Sequence, residues 1–391
     1  MLHASVVTQT SQLAELQDEW YDLIARSNTA TVFDTFEWQY NWWISFGRKV
    51  FGNKLQVVLL KDDAGLLVGL FPFFTKICLI WPLRRLSFLG NGLSDYHDVI
   101  AASGYEQAVC DELRPCLDER VNWSFADLNQ LREGGLLRTY CGNRYFTGWQ
   151  KIEIAQEECP FLVFPHSPPS EDRWELLLGQ FSKKNRGNIR YYDRALDRIY
   201  AVERLVANDD HSVSEALTAL FVLHQRRWNQ KWLPGVFFSG AAKKFHRRVA
   251  SALRGRGWLR LHYLRLDGFI EAVLYCFSIN GTTYYYQGGF EPSLSRHSLG
   301  TVVTALAVKQ AAFEGNGKFD FLRGDEPYKS RWTGGKSAWN HRWILAKHAF
   351  RLFSLSVAVV RVKLWVERSF KQWMHHRGRP KEDETSTKGN V

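Results

Sequence analysis

Two dipeptides, Asp267-Gly268 and Asn280-Gly281, punctuate three apolar and aromatic runs at 258–266, 270–279 and 282–288. Each dipeptide accepts positive φ at two consecutive positions, the geometry whose twist matches a pair of flanking antiparallel strands. The spacing therefore predicts a three-strand meander. Along the chain such strands alternate with helical patterns, which points to an α/β or α+β class.

The rest of the chain supplies both kinds of element. Strands are expected at 4–8, 55–60, 66–74, 86–89, 99–101 and 201–207, with further strands between 119 and about 165, and helices at 11–27, 33–46, 105–119, 171–198, 211–228, 243–254 and 299–314. The segment 11–27, for example, sets Leu13, Leu16, Trp20 and Leu23 on one face at helical spacing. The fold class is α/β, in its α+β form. A chain of 391 residues exceeds the roughly 250 to 300 at which single cores stop growing, and His166-Ser-Pro-Pro-Ser170 reads as a linker. Two halves are expected, 1–165 and 166–347, followed by a basic amphipathic helix at 348–379 and a disordered tail at 380–391.

With 45% hydrophobic and 23% charged residues the chain is neither disordered nor collagenous. Its six cysteines, Cys78, Cys110, Cys116, Cys141, Cys159 and Cys276, form no C-x-x-C pair and read as buried thiols in a reducing compartment. No cysteine has a histidine at zinc-finger spacing, and no metal is expected. The first twenty residues lack a basic n-region and an apolar h-region, and the most apolar stretch, 65–83, is interrupted by Pro72, Lys76 and Pro82. A cytoplasmic protein is expected. The segment 349–370 carries Arg361 and Lys363 at its middle, so it suits lying flat at the inner membrane's anionic surface, or packing on the protein itself. The net charge of +11 is clustered in Lys183, Lys184, Arg186, Arg190, Arg194 and Arg198, and again from Lys243 to Arg260. Such runs serve as solvated faces or meet anionic partners.

The unit after the meander carries the chemistry. Residues 290–301 form a Ser/Gly-containing loop that feeds the helix at 299–314; Gly315-Asn316-Gly317 stops it before a strand at 318–322. A loop entering a helix N-terminus offers unpaired N–H groups and the positive end of the dipole, which suits pyrophosphate, although ordinary capped helices look the same. The strand then runs into Arg323, Asp325, Glu326, Tyr328, Lys329 and Arg331 within one short loop. Carboxylates beside cations are tunable as acid or base, and a tyrosine hydroxyl can give a proton; a charged surface turn is the plainer alternative. Thr333-Gly-Gly-Lys-Ser337 ends like a phosphate-binding loop, but Ser330 stands where its first Gly belongs. His375-His376 lies in a basic tail, and no G-x-S-x-G elbow exists.

These residues resemble a family. The pattern YYYQGGFEPSLSRHSLGTVV followed by FDFLRGDEPYK, across Tyr284 to Lys329, is similar to the cellulose-biosynthesis-type (CelD-like) acetyltransferases of the GNAT superfamily. FDTFEWQYNWWISFG from Phe33 and SDYHDVI from Ser94 agree with it. The resemblance implies tandem GNAT-like halves, as in the Fem-type aminoacyltransferases, each a mixed, mainly antiparallel sheet flanked by helices, with the acceptor between them. It implies an N-acyltransferase that uses acetyl-CoA or another acyl-CoA, without a metal, on an amine-bearing sugar or glycolipid of bacterial polysaccharide or envelope biosynthesis. On this resemblance Asp325 or Glu326 is the base or amine-orienting carboxylate, Tyr328 the proton donor to the thiolate, and Lys329 a charge partner or phosphate contact. Ser298, Gly300 and Thr301 cradle the pyrophosphate; Asp95, Tyr96 and His97 line the acceptor side, with Arg323 among the substrate contacts. One departure stands out: Ser298-Leu299-Gly300 replaces the family's Ser-Pro-Gly, which keeps the small glycine and loses a rigid turn. The alternatives are a Fem-type enzyme fed by aminoacyl-tRNA and a non-catalytic scaffold of a polysaccharide-synthesis complex.

Overall fold

The first half of the computed structural model runs β1 (His3–Val7), α1 (Thr10–Glu15), α2 (Gln17–Ala25), α3 (Phe36–Ser45), β2 (Lys54–Lys61), β3 (Leu67–Ile77), β4 (Arg84–Phe88), β5 (Ile100–Ala101), α4 (Glu106–Asp111), α5 (Leu113–Glu119), β6 (Phe125–Arg132), α6 (Leu136–Tyr140) and β7 (Gln150–Val163). The second runs α7 (Glu171–Gln180), α8 (Lys183–Asp197), β8 (Val202–Val206), α9 (Asp210–Asn229), α10 (Gly240–Gly255), β9 (Leu259–Leu266), β10 (Phe269–Ile279), β11 (Thr282–Phe290), α11 (Leu299–Phe313), β12 (Lys318–Asp320), α12 (Pro327–Thr333) and β13 (Ser337–Ala346). Residues 1–77, 83–230 and 234–347 are described; the segment expected as a helix at 348–379 and the tail at 380–391 lie outside them.

The meander forms as its turns dictate. Leu266 pairs with Phe269 and Ile279 with Thr282, and all four turn residues have positive φ: Asp267 48°, Gly268 86°, Asn280 50° and Gly281 67°. Among the described residues the strands join one sheet in the order β1-β2-β3-β4-β6-β13-β7-β12-β11-β10-β9-β8, with β5 beside β3. The pairs β4–β6 and β11–β12 are parallel, and the other strand pairs are antiparallel. The result is a mixed, mainly antiparallel sheet flanked by helices.

Several expected helices divide. The span expected at 171–198 breaks where Phe181 turns extended and packs on Trp332, and the Ser182 hydroxyl caps α8 by accepting from Asn185 N. The span at 105–119 breaks at Glu112, just ahead of Pro115, which has no N–H to continue the ladder. The span at 11–27 breaks at Leu16.

β13 is the strand that the sequence reading lacked. It inserts between β6 and β7, and Arg342 grips Asp127 of β6 through two parallel bonds of 2.6 Å, both side chains buried. The Thr333–Ser337 stretch that imitates a phosphate loop is only the end of α12, where Gly334 (φ 60°) and Gly335 (φ 84°) turn the chain into β13. A core of aromatic rings joins elements of both halves: Trp38 of α3 meets Phe245 of α10, Phe277 of β10 and Tyr286 of β11 edge to face at 5.2–5.9 Å.

Candidate active site

β11 and β12 pair in parallel at three positions only, Thr282 with Lys318, Thr283 with Phe319 and Tyr284 with Asp320, with α11 as the crossover. The chain after β12 then follows β7, because Phe321 N donates to Pro160 O at 2.9 Å and Gly324 N to Glu158 O at 2.8 Å. β11 instead stays with β10 as far as Phe290. From Tyr285 onward the two paths diverge into a wedge, and among the described residues no strand pairs with that edge of β11. A free strand edge inside a protein needs hydrogen-bond partners, which an extended amide-bearing ligand can supply.

The ladder itself changes beside the wedge. Tyr275 pairs with Gln287 and Cys276 with Tyr285, so Tyr286 is the extra residue of a β-bulge. Tyr285 packs with Phe321 and Tyr328 on the α11 side of the sheet, whereas Tyr286 joins the aromatic core on the α10 side.

At the mouth of the wedge stands the α11 N-terminus. Ser298, at φ 54°, occupies the cap position without capping through its side chain; its carbonyl accepts from Thr301 N at 2.8 Å. Thr301 therefore spends its N–H inside the helix, and the N–H groups left without a described partner belong to Leu299 and Gly300. A Cβ on Gly300 would stand 3.3 Å from the Phe290 ring, so glycine lets that ring lie against the first turn. Arg227 lies over the same ring at 5.0 Å, and Arg226 pairs with Glu291 at 2.6 Å. These two arginines, with Arg296 in the loop before α11, make a cationic rim that the sequence reading missed. Their signal was present, but α9 carries no motif that connects it to a loop some seventy residues on.

The charged string after β12 is less open than its composition suggests. Asp325 is exposed. Lys329 is buried; its ammonium donates to the carbonyls of Leu322, Arg323 and Gly324 and pairs with Glu326 at 2.9 Å. Its charge is spent on four internal oxygens, which leave no place for a phosphate. Tyr328 lies with its ring 6.2 Å from Tyr285. Burial, with Tyr285 and Glu326 nearby, holds its hydroxyl well above the ordinary tyrosine range, so it is a proton-bearing donor.

The first half contributes the loop 90–98. Asp95 Oδ1 is 2.6 Å from Arg323 Nε, and Arg323 also faces Glu157 at 3.9 Å. Burial raises the Asp95 carboxyl to about 6, against the pull of Arg323 and Lys329. The loop is pinned from several sides: Trp38 Nε1 donates to Ser94 Oγ (2.9 Å), the Tyr286 hydroxyl to Leu93 O (3.0 Å) and Asn340 Nδ2 to Asp95 O (2.8 Å). Tyr96 does not face a cleft; its hydroxyl donates to both carboxylate oxygens of Asp320 at 3.0 Å and so holds the end of β12. His97 is a core residue, stacked on Phe88 with its Nδ1 3.0 Å from Asn129 O, and burial lowers its pKa to about 4, leaving it neutral. Gln130 (φ 55°) and Leu322 (φ 56°) flank this cluster in a backbone region costly for residues with a Cβ, a strain that concentrates at functional sites. Among the described residues no group of His, Cys, Asp and Glu is arranged to hold a metal, and no helix is long and apolar enough to cross a membrane.

Residues 183–330 match the model of a family described as an acetyltransferase (GNAT) domain. The fold is similar to the crystal structure of FemX, with a TM-score of 0.59 and 10% identity over 87% of this chain and 96% of that one. It is also similar to the C-terminal domain of a putative lysylphosphatidylglycerol synthetase from Agrobacterium fabrum (TM-score 0.53, 10% identity, 90% and 96% covered). A third likeness is to a conserved protein of unknown function from Bacteroides thetaiotaomicron (TM-score 0.54, 12% identity, 88% and 100% covered). No curated protein matches the sequence. The domain match makes the protein an enzyme, an N-acyltransferase of GNAT type, a class that in general takes an acyl-CoA co-substrate.

Proposed function

We propose that the protein transfers the acyl group of an acyl-CoA, acetyl-CoA first, to the amine of an amino sugar or sugar-lipid precursor in bacterial polysaccharide or cell-envelope biosynthesis, as the resemblance to the CelD-like acetyltransferases implies. The wedge between β11 and β12, with the α11 N-terminus at its mouth, carries the donor part of this reading. A pantetheine arm is an extended chain with two amides, the complement of the free edge beyond Tyr285. The pyrophosphate would meet the N–H groups of Leu299 and Gly300, the dipole of a helix of 15 residues, and the cations Arg227 and Arg296. Ser298, Gly300 and Thr301 serve through the backbone shape they impose.

In this reading the neutral amine attacks the thioester carbon; the C–N bond forms, the C–S bond breaks, and the thiolate takes the Tyr328 proton. Asp95, buried and close to neutrality in pKa, accepts the proton of the amine, with Arg323 holding its orientation. Asp325 and Glu326 stand nearer solvent and guide the acceptor in. Calorimetric titration with acetyl-CoA tests the reading. Micromolar binding that Arg227→Ala weakens supports it, and no binding of acetyl-CoA or of longer acyl-CoAs sinks it.

The exposed cations of α8, Lys183, Lys184 and Arg194, support a second reading with aminoacyl-tRNA as donor. Binding of tRNA that falls steeply with salt, in a protein indifferent to acyl-CoA, would favour it.

A further inference from the structure

Five polar atoms of three side chains are buried without a hydrogen-bond partner in one place: both ring nitrogens of His224, both of His246, and the hydroxyl of Tyr275. The three residues are 1%, 0% and 0% exposed. Native interiors satisfy nearly all such atoms, so a cluster of them marks a place for a polar occupant. The cluster is contiguous. Phe237 lies 4.8 Å from the His224 ring and 5.0 Å from that of His246, and Tyr275 lies 5.9 Å from His246. The Gln287 side chain approaches His224 without closing to hydrogen-bond geometry.

The position follows from the bulge. Tyr286, the extra residue on β11, has its ring 5.5 Å from His246 and 5.9 Å from Tyr275, while its hydroxyl holds Leu93, two residues before Asp95. The cluster therefore lies on the face of β11 opposite Tyr285, Tyr328 and α11, and a single ring separates it from the Asp95–Arg323 pair.

Its chemistry selects a ligand class. Burial lowers His224 to about 4 and His246 to about 3, so each ring is neutral and offers one donor and one acceptor; Tyr275, raised by burial, keeps its proton. Neutral donors and acceptors between aromatic faces suit hydroxyl groups and C–H surfaces, whereas a phosphate or carboxylate would demand cations. We propose that His224, His246 and Tyr275 form a subsite that receives the hydroxyl groups of a polyhydroxylated amine acceptor, an assignment that rests on the N-acyltransfer reading above.

The test is binding of glucosamine and galactosamine to the full chain with no acyl donor present, by saturation-transfer NMR, against cyclohexylamine as a hydroxyl-free amine of similar size. The wild type is expected to prefer an amino sugar, and Tyr275→Phe to weaken that sugar about tenfold, the worth of one hydrogen bond, while leaving cyclohexylamine unchanged. His224→Gln, which keeps a donor and an acceptor, is expected to lose less and covers the case in which Tyr275→Phe folds poorly. Equal binding of sugar and cyclohexylamine, or no binding of either sugar, overturns the proposal. So does a Tyr275→Phe protein with a raised melting temperature and unaltered sugar binding, which would mark the hydroxyl as unpaired or water-bound only. Acetyl-CoA binding by the wild type, measured separately, tells failure of this subsite from failure of the acyltransfer reading.

Discussion

Arg323 Nε stands 2.6 Å from Asp95 Oδ1, a guanidinium from the strand end after β12 against a carboxylate from the first-half loop 90–98. It is one of several polar links between the two parts of the chain, beside Tyr96 with Asp320 and Arg342 with Asp127. With the carboxylate buried and the guanidinium half-buried, the pair is weak evidence for stability, since taking the carboxylate out of water offsets much of the attraction. Its interest lies in what it does to Asp95: burial lifts the carboxyl to about 6 while Arg323 keeps it from rising further. A carboxylate with that pKa is half ionised near the pH at which an amine must be relieved of a proton.

Asp95→Asn should therefore lower kcat by about 10²–10⁴-fold, the usual worth of a positioned general base. The wild-type rate should rise with pH through about 6 as Asp95 ionises, and that limb should vanish in the variant. Asn can still accept from Arg323, so the melting temperature should change little. A variant with an intact acid limb would move the base elsewhere, to Glu326 first.

Arg227→Ala should raise KM for acyl-CoA about tenfold and leave kcat nearly unchanged, because a phosphate contact far from the thioester contributes equally to ground and transition states. Arg227→Lys should recover part of the loss, since charge is kept while stacking on Phe290 is not. Steady-state kinetics in acyl-CoA would show the split, and a fall in kcat at constant KM would contradict the placement of this arginine.

Both sites draw on features unequally legible in the sequence. The meander was readable because Asp267-Gly268 and Asn280-Gly281 are local signals that need no partner. The loop–helix–strand unit from 290 to 320 was equally local, and its elements stand where the spacing put them. β13 was not readable: Trp343, Ile344 and Leu345 make a short apolar run whose strand character comes from slots in β6 and β7 more than 170 residues upstream. The same limit hid the fate of Lys329. Its neighbours in sequence suggest an open charged loop, whereas the left-handed turn at Leu322 aims three carbonyls at its ammonium. His97 misled for a related reason, since a histidine beside Asp95 and Tyr96 looks functional until Phe88, a strand away, is seen to cover it.

Tyr328→Phe should reduce kcat by about 10–100-fold if the hydroxyl protonates the thiolate, with the loss smallest for acyl donors whose thiol leaves readily. Its folded state should persist, because the ring contact with Tyr285 at 6.2 Å remains. Donors of graded leaving-group pKa measure this directly, and a loss independent of the leaving group would reduce Tyr328 to a packing role.

Histidines buried in neutral form make the fold sensitive to acid. His262, on β9 and 1% exposed, has an Nδ1 without a hydrogen-bond partner, and burial with Arg260 nearby lowers its pKa from 6.5 to about 3. Above pH 6.5 neither folded nor unfolded chain holds the proton, and the full stability is present. Between 6.5 and about 3 the unfolded chain binds a proton that the folded one refuses, so stability falls as the pH drops, by about 1.4 kcal/mol per unit. Asp34 and Asp98 act in the opposite sense: burial raises them to about 7 and about 6, so the folded chain takes up their protons first and gains stability on acidification toward 4. His262→Leu deletes one histidine contribution and leaves the carboxyls in place. It should match the wild type at pH 8 to within about 1 kcal/mol, the cost of a near-isosteric core exchange. By pH 5 it should have gained about 2 kcal/mol relative to the wild type. Urea unfolding at the two pH values reads that difference, and an equal gap at both would show that His262 does not carry the acid sensitivity.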